Sequence, residues 1–203
     1  MRCSLHALPL FLLLAAGCAG PSGISSMPKP GKGIAEYREV ANRAHQAVAS
    51  VVDSLEGLRQ GSGLGRFDQT FENLELTSVK ARARAEAIIA RGENYFEEWK
   101  EQLSLATNQL AAQANYNRMY DHFTRVRQRS GEVREEFRPF MAKLRQFRAK
   151  LDHASNSPTS EASRTEIDAL TTSGRRVLKT LESVSSALNE AEAELHAIRK
   201  AKS

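Results

Sequence analysis

The stretch "GENYFEEWKEQ" at 92–102 sets Glu93, Glu97, Glu98 and Glu101 around Tyr95, Phe96 and Trp99. Paired carboxylates can act as general acid and base across a glycosidic bond, but that chemistry needs a cleft to hold them on either side of the sugar. The flanking pattern is helical and signals no cleft, so the glutamates are expected to form a solvated rim. Tyr95 and Trp99, four residues apart, would then be neighbours on one helix face, packed inward. The rival reading makes Trp99, with Glu98 beside it, an exposed anchor for a partner, since tryptophan is enriched among interface hot spots. His45, His122, His153 and His196 lie far apart with no H-E-x-x-H spacing, so neither a metal site nor a cofactor is expected. "GKG" at 31–33 is no phosphate loop: Ser26 stands where the pattern needs a first glycine, and Gly33 where it needs Ser or Thr. "GSGLG" at 61–65 lacks the preceding strand of a dinucleotide loop.

A basic stripe is the second chemical feature. Arg125 to Lys150 holds nine Lys or Arg and three Glu. With Phe123 as heptad position a, Arg127, Arg134 and Arg148 fall at e, and Arg129, Lys143 and Lys150 at g. Charges at those positions select neighbouring helices, and acidic stretches stand at Glu93 to Glu101 and Glu190 to Glu194. Intramolecular pairing is the first expectation. The second is contact with an anionic cell-wall polymer or lipid headgroups.

Cys18 is the third. Arg2 is followed by an apolar run from Leu8 to Ala16, broken only by Pro9, and then by small residues. That is the layout of a secretory signal, far short of the roughly 20 residues of a membrane span. An ordinary signal peptidase could cut at Gly17-Cys18-Ala19 and discard the cysteine. Alternatively, Ala15-Ala16-Gly17-Cys18 resembles the bacterial lipobox, and this reading is preferred. The resemblance implies that Cys18 is diacylglycerylated, becomes residue one and is acylated again. Two or more acyl chains hold a protein stably on a bilayer, whereas one binds marginally. Ala19, rather than Asp, after the cysteine resembles lipoproteins sorted to the outer membrane. Loss of residues 1–17 leaves one cysteine and 28 Lys and Arg against 24 Asp and Glu, a net charge of +4. An intramolecular disulfide is thereby excluded.

The elements that must position these residues follow from spacing. Residues 18–33 combine the cysteine with "AGPSGISSMPKPGKG", four glycines and three prolines in fifteen positions, a flexible tether with an r.m.s. reach of roughly 20 Å. From Ile34 to residue 203 apolar residues recur at steps of three and four. The first seam is Ile34, Tyr37, Ala41, Ala44, Val48, Val51, Leu55 and Leu58, broken by the glycines at 61–65. A second helix is expected from Phe67, with Phe67, Phe71, Leu74, Ser78, Ala81, Ala85, Ile88, Tyr95, Trp99, Leu103 and Ala106 inward, and a turn at Thr107-Asn108. A third runs from about Leu110 to Asp152, with Phe123, Val126, Ser130, Val133, Phe137, Phe140, Leu144, Phe147 and Leu151 inward and Pro139 expected to kink it. Ser157 is the expected cap, and Pro158 the first turn, of a fourth whose seam runs from Ile167 to Ile198. Four such segments with narrow apolar stripes predict an all-α, elongated, antiparallel coiled-coil-like bundle, with nothing in its composition to signal a large pocket.

Residues about 37 to 196 resemble an exported bacterial helical family, the domain of unknown function two-nine-five-nine. The resemblance rests on "YFEEWKEQL" at 95–103, "TN" at 107–108 and "EFRPFMAKLRQFRAKLDHA" at 136–154, with helical flanks of matching length. The glycine-rich break at 61–65 departs from that pattern. The resemblance implies export and an all-helical fold, and it brings no activity.

The expectation is therefore a lipid-anchored, non-enzymatic structural or interaction protein of the cell envelope, facing the periplasm from the outer membrane. Its partners would be the membrane through the lipid, an envelope protein or anionic polymer, or a second copy, with nucleic acid excluded by export.

Overall fold

The computed structural model describes residues 30–61, 63–151 and 160–201. Cys18, the residues before it, Ser157 and Pro158 lie outside them. Four long helices run in chain order: α1 (Pro30–Arg59), α2 (Leu64–Gln102), α3 (Gln109–Leu151) and α4 (Glu161–Lys200). A single 3-10 turn, Leu103–Leu105, lies between α2 and α3. Each helix neighbours the next, and α4 closes on α1. The result is an up-down-up-down bundle about 60 Å long at 1.5 Å per residue.

The glycine break works through backbone conformation. Gly61 and Gly63 have φ of 83° and 89°, a left-handed region that costs glycine no side-chain clash. The chain reverses within a few residues, and α2 starts at Leu64, three residues before the expected Phe67. At the opposite end, α1 starts at Pro30, so residues 30–33 belong to the helix and not to the tether. Gly31 sits close to α4, where an added Cβ would lie 3.5 Å from Leu195. Ser160 caps α4, its hydroxyl accepting from the Ser163 N–H at 3.2 Å. The cap thus falls three residues beyond the expected Ser157.

Burial follows the seams most fully in α4, where Ile167, Leu170, Gly174, Val177, Leu181, Val184, Leu188, Ala191, Leu195 and Ile198 are all buried. The central core joins Leu55, Phe67, Phe71, Phe140, Leu144, Phe147 and Leu170. Gly174 makes this packing feasible: a Cβ there would stand 2.5 Å from Val52 and 3.2 Å from Phe140. The backbones of α2 and α3 approach each other less closely than those of the other neighbouring pairs. Aromatic side chains fill the wider gap, with Phe67 edge-on to Phe147 at 5.9 Å and Phe96 against Phe123 at 5.1 Å. Pro139 sits on the exposed face of α3, which continues through it as one helix.

Candidate functional site

Trp99 lies at the end of the bundle where α1 begins and α4 stops. Phe96, Tyr116, Met119, Leu195 and Ile198 form a buried cluster there, with Ile34, Tyr95, Trp99, Leu103 and Phe123 packed against it. Trp99 is half-buried, edge-on to Tyr116 at 5.6 Å and to Tyr95 at 5.7 Å. Glu98 is exposed and makes no ion pair among the described residues. The pair is therefore divided: the indole belongs mostly to the bundle, and the carboxylate faces solvent. Phe96, 5% exposed, is the buried centre of this cluster, whereas the sequence seam passed through Tyr95 and Trp99. The three residues lie within about a turn of one another, so the inward stripe shifts by one position here.

The basic stripe is aimed at acidic partners on both neighbours. On the α2 side Arg127 meets Glu93 at 2.8 Å, Arg134 meets Glu86 at 3.8 Å, and Arg148 bridges Asp68 at 3.1 Å and Glu72 at 3.2 Å. On the α4 side Lys150 meets Glu166 at 2.8 Å, and Arg125 meets Glu190 at 2.5 Å. The three e positions thus all point to α2, while Lys150 at g points to α4. Arg129, also at g, pairs within its own helix with Glu132 at 2.8 Å. That hydrogen-bonded guanidinium holds the Glu132 carboxyl below its ordinary range. Cross-helix pairing continues on α1, where Arg38 reaches Glu192 at 2.7 Å and lowers its carboxyl in the same way, and Glu36 pairs with Arg91.

Hydroxyls also link helices: Thr70 on α2 donates to the buried Ser54 Oγ of α1 at 2.8 Å. The Tyr37 hydroxyl on α1 donates to Ser130 Oγ on α3 at 2.7 Å, and Ser130 donates to the Val126 carbonyl at 2.7 Å. Burial raises the Tyr37 phenol above its ordinary value, against the hydrogen bond and the nearby Arg134, which lower it.

The described residues form concavities that the composition did not signal. An apolar crevice of about 170 Å³ opens between α1, α2 and α3 beside Tyr37, Ile88, Gly92, Phe96, Phe123 and Val126. A shallow groove of about 640 Å³ runs between α1 and α2, with Arg43, Gln46, Asn73, Thr77, Lys80 and Arg84 along it. Neither brings two carboxylates, or a nucleophile and a base, face to face. Among the described residues no group of three His, Cys, Asp or Glu is placed to hold a metal ion. No helix among them is long and apolar enough to cross a membrane.

Comparison of the chain with protein-family models, curated proteins and solved structures finds no match.

Proposed function

We propose that this chain is a lipid-anchored, non-enzymatic structural or interaction protein of the bacterial envelope, held at Cys18 and facing the periplasm from the outer membrane. The observation that carries the reading is the position of Cys18, directly after small residues that end a signal-like apolar run. Its membership of the exported helical family belongs to the same proposal. A body whose seams face inward and whose Arg125, Arg127, Arg134, Arg145 and Arg148 on α3 pair with neighbouring helices suits a rod that presents its ends and outer faces to a partner. The pairing of Arg127, Arg134 and Arg148 leaves the anionic-polymer reading without an observation in its favour. Fractionation tests the proposal: wild type should stay with membranes through a high-salt wash, and Cys18→Ser should appear in the soluble fraction. Release of both proteins would refute it.

A further inference from the structure

The α2/α3 turn lies at the same end of the rod as the start of α1. Ile34, in the first turns of α1, packs against the cluster that Phe96 of α2 forms with Tyr116 and Met119 of α3 and with Leu195 and Ile198 near the end of α4, and Trp99 and Leu103 pack against the same cluster. From the level of Phe96, α2 runs on to Gln102 and then through Leu103–Leu105. The turn therefore projects about 10 Å beyond the level of α1's first turns, at 1.5 Å per residue.

This tip differs chemically from the rest of the body. Residues 102–117, "QLSLATNQLAAQANYN", contain no charged side chain in a chain that is 26% charged. Leu105 and Leu110 are 84% and 85% exposed, more than any other large apolar side chain among the described residues. Ala111 and Ala114 are exposed beside them. The tip is nevertheless built and not frayed. Asn108 caps α3 by accepting the Ala111 N–H at 3.1 Å, and Gln109 donates to the Ser104 carbonyl at 3.1 Å. Behind the leucines stand Trp99, Tyr116 and Tyr120, the last 41% exposed. The nearest charges stand at the level of this aromatic layer: exposed Lys100 and Glu101 follow Trp99 on α2, and Arg118 lies between Tyr116 and Tyr120 on α3.

Apolar side chains at the extremity with a Trp and Tyr layer behind them form the profile of a segment seated in the headgroup region of a bilayer. Which surface the tip meets follows from where the chain leaves the rod. Cys18 is 12 residues before Pro30, so the two are at most about 40 Å apart. That is shorter than the rod, and it keeps α1's starting end, with the tip, near the anchored lipid.

We infer that the α2/α3 tip is a membrane-contact element that seats Leu105 and Leu110 among lipid headgroups. The inference rests on the anchored reading only for the choice of which end faces the bilayer. It predicts a rod standing on its tip, with its far end, at Gly61 and Gly63, presented away from the membrane.

The test separates the two readings by replacing the cell's acylation with a synthetic link. Residues 18–203, made without a signal and therefore carrying a free Cys18 thiol, are coupled to phosphatidylcholine vesicles bearing a maleimide lipid. Trp99 is the sole tryptophan, so Trp99→Phe with Leu105→Trp places one indole at the tip. On vesicles with brominated acyl chains its emission should fall by about half relative to unbrominated ones and shift to the blue. Trp99→Phe with Leu76→Trp, which reports from the exposed middle of α2, should be unaffected, and adding Leu110→Ser to the tip reporter should weaken its quenching. Equal emission of the tip reporter on both vesicle types would overturn the inference. So would equal quenching at positions 105 and 76, which would mean that the rod lies flat. A concentration-dependent blue shift without vesicles, with no quenching on them, would assign the tip to a second copy instead. Circular dichroism of each variant checks that the helices are intact. Because the link to the vesicle is synthetic, failure of acylation in cells would leave the quenching at the tip unchanged.

Discussion

Tyr37 carries a part-buried side-chain bridge from α1 to α3, and through it pH reaches the interior. An unfolded tyrosine ionises near pH 10, and burial raises the folded value. The stability this contributes is fully present below pH 10 and is lost as pH rises through the folded value. Tyr37→Phe should cost about 0.5–1.5 kcal/mol at neutral pH by removing the hydrogen bond to Ser130. It should also lessen the drop in urea midpoint between pH 9 and pH 11. Some drop should persist, because burial raises Tyr95 and Tyr116 as well. An unchanged drop in the variant would contradict this role for the phenol. Glycines supply a second residue-scale prediction, with its own control. Gly174→Ala gains about 1 kcal/mol of helix propensity but drives a methyl into Val52 and Phe140, at a cost of about 1–3 kcal/mol. Gly131 has open space around its Cβ position, so Gly131→Ala should raise the urea midpoint while Gly174→Ala lowers it. Opposite signs from one chemical change would locate the close approach of α1, α3 and α4 at position 174.

Among the elements, α1, α3 and α4 were legible in the sequence nearly throughout, because Val, Leu, Ile and Phe at steps of three and four leave one buried face. The turn between α2 and α3 was legible too. Thr107 and Asn108 are poor helix formers, and Asn108 serves as the cap of α3. Asn108→Ala should therefore cost about 0.5–2 kcal/mol, read as a lower thermal midpoint with unchanged helix content. The bounds were less legible. Pro30 and the glycines after it have the composition of a linker, yet packing against Leu195 draws residues 30–33 into α1. Around Trp99 the seam was read one residue off, since "YFEEW" offers three aromatics within five positions. Only the approach of Tyr116, Tyr120 and Phe123 from α3 selects Phe96 as the buried one. The partners of the basic stripe were half legible. Glu93 and Glu190 stand in the acidic stretches the sequence suggested, whereas Asp68, Glu72 and Glu86 depend on the relative stagger of α2 and α3, which heptad positions alone leave open.

For the molecule as a whole, the core determines stability and the ion pairs determine arrangement. An exposed pair contributes about 0.2–1 kcal/mol, whereas emptying a buried phenylalanine site costs about 3–5 kcal/mol. Arg127→Ala, which removes a single exposed pair with Glu93, should thus lower the unfolding free energy by about 1 kcal/mol or less, and Phe140→Ala by several times more, in urea titrations at one salt concentration. Comparable losses would mean that the charges, and not the seams, hold the rod together. A rod with most of its α3 arginines paired to neighbouring helices offers most through where it is held, and in the proposed reading Cys18 decides that. The most direct measurement is the mass of the mature N-terminal peptide of wild-type protein purified from a bacterial host. The account predicts a chain that begins at Cys18 and carries the mass of a diacylglyceryl group plus a further acyl chain. A mature chain with no lipid mass, whether it begins at Cys18 or beyond it, would contradict the anchor.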